Sequence, residues 1–401
     1  MKTILRNRLF LAISAGHLTV DVMNSSLPVI LAFLALRLGL SNAQLGLAAA
    51  AYTVGASLTQ PLFGHIADQR GSRWLAVGGV LWMAGVFWLA ALFRGYVAFF
   101  CLLLAGLGSA AYHPQAVMNA RHASRPLVAS GTSLFFFFGQ VGLATGPALA
   151  GLLLTLVPLP VALLLLGLPA IPVALWLIAT MPPEAERRSS AHGSAEGASA
   201  LRLAWPVLVA FLALMALRFW PMRATQTFLP KLMGELGLGA NWYGLVLAGF
   251  MGGSAVGGVL GGLLADHWSA KGTLVSTLAL APVPFWLYLQ LPLDHPAVPL
   301  LVGLAGLLMG TQHSILVLMA QAMLPNRMGL ASGLVLGYMF TSGAVGAFIT
   351  GVLADHMGLY RALEMLPFVV LGALVFALFM PRRRTLEGVY EPQPASRTTT
   401  A

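Results

Sequence analysis

Three polar side chains stand in an apolar stretch near the start of the chain. His17, Asp21 and Asn24 lie between about Leu9 and Leu36, a run long enough to cross a bilayer as a helix. Residues three and four apart share a helix face. The three therefore form one polar stripe on a greasy rod. A carboxylate at membrane depth costs about 3 kcal/mol on insertion scales. The chain has twelve acidic residues, and the other eleven fall in predicted loops, helix ends or tails. Asp21 is thus the one carboxylate placed deep in the membrane. A buried group that gains and loses its charge suits proton transfer, with His17 as the titratable neighbour on its stripe. The alternative is a permanent ion pair between Asp21 and Arg218.

Further polar groups interrupt other apolar runs: His113 and Gln115, Gln140, then Arg218, Arg223 and Gln226, and finally Gln312 and His313. Apart from Gln140 they recur on every third predicted span. This rhythm suggests three-helix units whose first members face a shared aqueous cavity, where these side chains would meet a solute. Arginine keeps its charge and forks onto phosphate, phosphonate or carboxylate groups. Arg218 and Arg223 would sit about 140° apart on an ideal helix. Pro221 between them removes a helix hydrogen bond and is expected to unwind the span. Arg218 either touches cargo, pairs with Asp21 or caps backbone carbonyls.

These residues need a membrane fold to position them. The 401 residues are 58% hydrophobic and 8% charged, against about 25% charged in soluble domains. Candidate spans are 9–36, 43–66, 74–93, 97–118, 128–156, 159–180, 205–229, 242–265, 273–291, 298–320, 329–354 and 361–380. Long apolar runs of this kind read as helices, not barrel strands. The expected fold is all-α and polytopic, with about twelve transmembrane helices in two pseudo-symmetric six-helix halves. Residues 1–180 form one half and 205–380 the other. Residues 181–204 read as a cytoplasmic linker and 381–401 as a cytoplasmic tail.

With the first residue in the cytoplasm, 16 basic residues fall on the cytoplasmic side and 4 outside, a strong positive-inside bias. The net charge of +10 is therefore topology signal, and no nucleic-acid partner is expected. A multi-pass protein of the inner (plasma) membrane follows, with both termini cytoplasmic. The single Cys101 allows no intrachain disulfide. No metal-ligand spacing, phosphate-binding loop or nucleophile–base pair is apparent. Neither a cofactor, a metal nor an enzymatic activity is expected.

The halves repeat one another. Gly64-x-x-x-Asp68 answers Gly262-x-x-x-Asp266. Ala105-Gly106-Leu107 leading to His113 answers Ala305-Gly306-Leu307 leading to His313, and Ala129-Ser130-Gly131 answers Ala331-Ser332-Gly333. Similar offsets near 200 residues fit a transporter built from repeated halves. Small residues also form a ladder at Gly249, Gly253, Gly257 and Gly261, a helix-packing face.

The loop Gly64-x-x-x-Asp68-x-Arg70-Gly71-x-Arg73 resembles the signature loop of the major facilitator superfamily. The resemblance implies that Gly64, Asp68, Arg70, Gly71 and Arg73, with Asp266 in the second copy, form a conformational latch. Gly142-x-x-x-Gly146-Pro147-x-x-x-Gly151 is similar to the signature of that superfamily's proton-coupled antiporters. Gly16-His17-x-x-x-Asp21, Gln60-Pro61-x-x-Gly64, Tyr112-His113-Pro114, Thr227-Phe228-Leu229-Pro230 and Leu324-Pro325-x-Arg327-x-Gly329-x-x-Ser332-Gly333 resemble its fosmidomycin-resistance branch. Gln115 departs from that branch, which has Glu there, and cannot carry a proton.

The resemblance implies proton-coupled efflux by alternating access, carrying a small anionic or polar drug-like compound. The expected partners are that solute, protons and the lipid bilayer, and a monomer is expected. Uptake or exchange of an organic anion is the alternative within transport, and a membrane sensor is the alternative outside it. A reporter fused after Arg384 should be active in a cytoplasm-dependent form and silent in a periplasm-dependent one. The opposite pattern would reverse the topology.

Overall fold

The structure is a computed structural model that describes residues 4–125, 127–182, 205–323 and 328–380. The side chains of 68–70, 128–130, 266, 314, 318, 321–323 and 328–336 are outside the description. Linker residues 183–204, the tail after Met380 and the Asp68, Arg70 and Asp266 side chains therefore lie outside the described residues.

No strand occurs among the described residues. The helices run in order α1 (Arg8–Leu38), α2 (Asn42–Leu58), α3 (Gln60–Arg70), α4 (Arg73–Leu92), α5 (Gly95–Leu103), α6 (Ala105–Ala123), α7 (Val128–Leu156), α8 (Leu159–Gly167) and α9 (Ala170–Thr180). After residues 183–204 come α10 (Trp205–Glu235), α11 (Ala240–His267), α12 (Ala270–Leu280), α13 (Pro282–Gln290), α14 (Val298–Met323), α15 (Met328–Met357), α16 (Leu359–Glu364) and α17 (Leu366–Leu378). Among the described residues, eleven helical stretches are long and apolar enough to cross a membrane. The twelfth expected span, 43–66, is present as α2 and α3 but breaks at Thr59. Pro61 lies in the first turn of α3, where a missing N–H is harmless. The Thr59 hydroxyl bonds back to Gly55 O at 2.5 Å.

Proline did not act as expected at position 221. Pro221 and Pro230 both lie inside α10, which is assigned as one helix over 31 residues. Pro221 itself is buried, and α10 packs against α15, α17, α1 and α11. Tertiary packing on several sides holds the helix through the lost hydrogen bond.

Small residues set the tightest packing. The glycine ladder of α11 lies against α14. A Cβ at Gly253, Gly257 or Gly261 would fall 2.0–2.1 Å from a carbonyl oxygen of Gly303, Leu307 or Thr311. No side chain larger than hydrogen fits there, so the backbones themselves are in contact.

Helices before and after the linker meet chiefly through α2 with α15 and α7 with α11. Their close approaches gather at the end of the bundle remote from the first residue, here called the distal end. A Cβ at Gly46 would meet Ala347 O at 3.1 Å, and one at Gly351 would meet Asn42 O at 2.4 Å. On the other pair, Gly151 lies against Ala240 O and Gly244 against Pro147 O. Contact on this pair reaches as far inward as Gly252, whose Cβ would meet Ala144 Cβ at 3.7 Å. Towards the opposite end, added Cβ atoms at Gly55, Gly64, Gly262 and Gly337 would meet nothing within 4 Å. Among the described residues the two groups of helices pack closely at the distal end, and these glycines at the opposite end make no such approach.

A carboxylate clasps the seal. Asp355 at the end of α15 accepts the N–H of Asn42 at 2.7 Å and of Ala43 at 2.9 Å. These are orphan donors in the first turn of α2, where the helix dipole also favours negative charge. Lys231 on α10 donates to Asn42 Oδ1 at 2.5 Å and pairs with Glu235 at 2.7 Å. An exposed carboxylate at a helix N-terminus contributes about 1 kcal/mol, a factor of about five in an equilibrium. Asp355→Asn should therefore shift the population towards a distally open state by about fivefold. Spin-label distances between the distal ends of α2 and α15 would measure it, and an unchanged distribution would remove Asp355 from the seal.

Candidate functional site

Asp21 sits on α1 with its side chain 7% exposed. It faces two histidines and not an arginine. His17 Nε2 lies 3.2 Å from Asp21 Oδ2, and His113 Nε2 lies 3.2 Å from Asp21 Oδ1. Among the described residues Asp21 forms no ion pair with Arg218. The expected alternative of an Asp21–Arg218 strut is not what this structure contains.

The rings are held from behind. His17 Nδ1 lies 3.0 Å from Phe135 O, and His113 Nδ1 lies 2.8 Å from Ser109 O. A carbonyl oxygen carries no hydrogen, so each Nδ1 is the donor and each Nε2 points at the carboxylate. The His17 ring also stacks on Phe135 with centroids 4.1 Å apart. Asn24 Nδ2 donates to Asp21 Oδ1 at 3.1 Å and to Ser109 Oγ at 3.0 Å. The Tyr52 hydroxyl on α2 in turn donates to Asn24 Oδ1. The result is one hydrogen-bonded chain through α1, α2 and α6.

Glycines of α7 make the room. An added Cβ at Gly139 would stand 2.3 Å from His17 Cε1 and 2.8 Å from Asp21 Oδ2. One at Gly142 would stand 2.6 Å from Leu18 O and 3.0 Å from Asp21 Cβ. Gly146 presses on Ser25 and Val22 in the same way. Ser25 and Ser26 donate to Gly142 O and Gly146 O at 3.2 and 2.9 Å. Spacing of three and four residues puts these glycines on one face, so the Gly142/Gly146 motif is the surface that receives the Asp21 stripe. On α6, the Tyr112 hydroxyl donates to Ile13 O at 2.5 Å. It fills the space that Gly16 leaves open, where a Cβ would meet that hydroxyl at 2.3 Å.

A small cavity of about 50 Å³ lies between the two groups of helices, lined by Asn24 and Tyr52 from one and Arg223 and Gln226 from the other. A volume of this order holds a few waters. Arg223 donates to Gln226 Oε1 at 3.0 Å and lies 5.2 Å over the Phe340 ring. Arg218 is elsewhere. Fully buried, it donates to Gln312 Oε1 at 3.1 Å and to Met309 O, and lies 4.1 Å over Phe219. It joins α10 to α14. Its remaining nitrogen, Nη1, has no hydrogen-bond partner. Gln312 is buried and also bonds to Leu308 O at 3.1 Å. His313 packs edge-on against Phe219, with centroids 5.9 Å apart.

The other expected residues scatter. Gln115 is buried and donates to Phe63 O at 3.1 Å, away from Asp21. Gln140 is exposed. It shares the α7 face of Ala144, Pro147 and Gly151, one turn from the Ala144 contact with Gly252 of α11. In the signature loop, Gly71 closes α3 at φ 91°, a backbone shape that favours glycine. Arg73 there donates to Ile178 O at 2.6 Å, tying α4 to α9. Gly64 borders open space. Sequence reasoning missed Tyr52, Ser109 and Gly139. Tyr52 and Ser109 were hidden by ordinary composition, but Gly139 could have been found, because it extends the Gly142/Gly146 face by one step.

The compact trio has the composition of an ion site, with one donor atom from each of His17, Asp21 and His113 within 4.8 Å of the others. Direct contacts at hydrogen-bond distance already engage all three groups.

The Major Facilitator Superfamily model matches residues 13–240 and again 207–400. The chain belongs to that superfamily. This transporter is 27% identical over 381 residues to the fosmidomycin resistance protein of Escherichia coli (strain K12), covering 93% of the chain and 92% of that protein. It is 27% identical over 390 residues to YfnC, an uncharacterized MFS-type transporter of Bacillus subtilis (strain 168), covering 92% of each. Among solved structures, the nucleoside transporter NupG matches with TM-score 0.72 at 12% identity, covering 96% of the chain and all of NupG. A bacterial homologue of the human lysosomal transporter Spinster, crystallised inward-facing and occupied, matches with TM-score 0.71 at 14% identity, covering 96% of each. These last two likenesses establish the fold of a multi-pass membrane transporter.

Alanine normally stabilises a helix by about 1 kcal/mol over glycine. Gly139→Ala should do the reverse, because its methyl group strikes His17 and Asp21. Melting in detergent should fall by an amount typical of overpacking, about 1–3 kcal/mol. Gly85→Ala, whose added Cβ meets nothing within 4 Å, should melt no lower than the parent. Equal stability of the two variants would show that α7 does not confine the cluster.

Proposed function

We propose that this transporter exports a small anionic or polar drug-like compound in exchange for protons, by alternating access. The observation that carries the proposal is the buried carboxylate of Asp21 held between two histidines. A permanent charge there would cost too much to be idle. A group that takes a proton on one side of the membrane and gives it up on the other turns that cost into coupling. The positive-inside bias supports cytoplasmic termini, and on that reading the distal seal closes the outside while the opposite end opens inward. We further take residues 1–180 and 205–380 as the two rocking halves, joined by 181–204. Arg223, Gln226, Asn24 and Tyr52 are the proposed cargo contacts, with Gln140 on the entry path. Arg218, bonded within its own helix group, is proposed to hold α14 in place and to add positive potential. A monomer suffices for this cycle.

Export is supported by the likeness to the fosmidomycin resistance protein of Escherichia coli. Uptake or exchange of an organic anion is a second reading, and one observation favours it. A proton-loaded cluster beside Arg223 attracts an anion, and Coulomb attraction then favours carrying both in one direction.

Reconstituted vesicles with an imposed pH gradient decide between them, using fosmidomycin as the trial cargo. Exchange predicts that cargo accumulates on the more acidic side, and co-transport predicts the opposite. In either case Asp21→Asn should still exchange cargo across the membrane at equal pH. It should lose at least tenfold of the gradient-driven accumulation. Full coupling in a folded Asp21→Asn protein would end the proton-carrier reading.

A further inference from the structure

The two histidines are not equivalent. His17 is enclosed: its side chain is 4% exposed, its Nδ1 is fixed on Phe135 O and its ring is stacked on Phe135. Gly139 leaves just enough space for its other edge. His113 makes the same 3.2 Å contact with the carboxylate, yet its side chain is 23% exposed. Its Nδ1 bonds to Ser109 O and Oγ on its own helix, at 2.8 and 3.2 Å. Each Nε2 faces a carboxylate oxygen while Nδ1 holds a hydrogen. Each of the two contacts therefore needs a proton between its atoms, since otherwise two lone pairs oppose each other.

We propose that His113 is the port through which the proton passes between Asp21 and water at the exposed edge of its ring, while the His17–Asp21 pair keeps its own proton throughout the cycle. This rests on the proton-coupling reading above and assigns His113 to the proton path in place of cargo binding. Release needs the His113 Nε2 proton to reach water at the exposed side of the ring and the ring to swing from the carboxylate. Partial exposure allows both. His17 has neither water nor room. Among the described residues no other group stands where it could replace His113. On α2, Tyr52 reaches the carboxylate only through Asn24. Beside it on α6, Tyr112 is committed to Ile13 O. From α7 the site meets Phe135, Phe136 and Gly139, none of which titrates. Arg223 of α10 lines the cavity and repels the leaving proton without accepting it.

The experiment compares three variants in vesicles with fosmidomycin as cargo. Asp21→Asn tests the coupling reading itself. His113→Gln should lose gradient-driven accumulation at least tenfold, keep exchange at equal pH, and lose the pH dependence of that exchange. His17→Gln should weaken stability but leave the number of protons moved per cargo unchanged in its folded fraction. Loss of coupling in Asp21→Asn together with normal coupling in His113→Gln would overturn the port and leave the reading intact. A second measurement needs no folded variant at the port. In 15N-histidine-labelled wild-type protein, the His113 ring nitrogens should change protonation across a pH series while those of His17 do not. Titration of His17 with His113 silent would equally overturn the assignment.

Discussion

A single carboxylate in the membrane interior constrains much of this molecule. Asp21 must be buried, because it lies mid-helix in α1, and it must be compensated, because an isolated buried charge is costly. The compensation comes from imidazole and not from guanidinium. That choice has a consequence. An Asp–Arg pair is permanent at any physiological pH, whereas imidazole is the side chain whose ordinary titration range lies near it. Arg218 and Arg223 are near in sequence terms to the same bundle centre, but one is bonded to Gln312 and Met309 O and the other to Gln226. Fixed charge and exchangeable charge are kept on separate side chains.

Small residues express the same constraint in steric form. Gly139 and Gly142 exist in this geometry to admit a ring and a carboxylate, and Gly16 admits a tyrosine hydroxyl. Elsewhere, as along α11 and α14, glycine lets two backbones touch without any polar cargo between them. The same residue type thus serves a site in one helix and plain packing in another. Only the identity of the neighbour separates the two uses.

This explains what could and could not be read from the sequence. Helical class, span positions and the Asp21 stripe follow from local rules, since apolar run length and a period near 3.6 depend on nearby residues alone. The union of His17, Asp21 and His113 does not. Residues 21 and 113 are brought together by the packing of α1 on α6, and no spacing rule reaches that far. For Arg218, a local reading leaves three partners open, and the carbonyl-capping option is the one found. For Pro221 the local rule failed outright, because neighbours on several sides outweighed a missing hydrogen bond. At Thr59 the break arose where a proline starts a helix and not where one interrupts it.

The proton site and the distal seal share their helices, and this is the physical basis for linking them. Helix α7 presents Gly139, Gly142 and Gly146 to α1 on one face. On another it presents Ala144, Pro147 and Gly151 to α11. Residues 142 and 144 differ by about 200° around the helix, so the faces are nearly opposite. Helix α2 likewise carries Tyr52 into the Asp21 network and Asn42 and Gly46 into the seal with α15. Of the four helices that meet at the distal end, α7 touches the cluster directly and α2 reaches it through Asn24 by two hydrogen bonds. Several of their contacts at the seal are backbone to backbone, which leaves little slack to absorb displacement. On the proposed coupling, loss of a proton sets two lone pairs against each other, and a shift of α1 against α7 then has little slack to dissipate in. Close-packed interfaces respond to such shifts by switching between arrangements instead of yielding gradually. The proposed coupling needs no long-range relay, because α7 and α2 pack both at the Asp21 network and at the distal end.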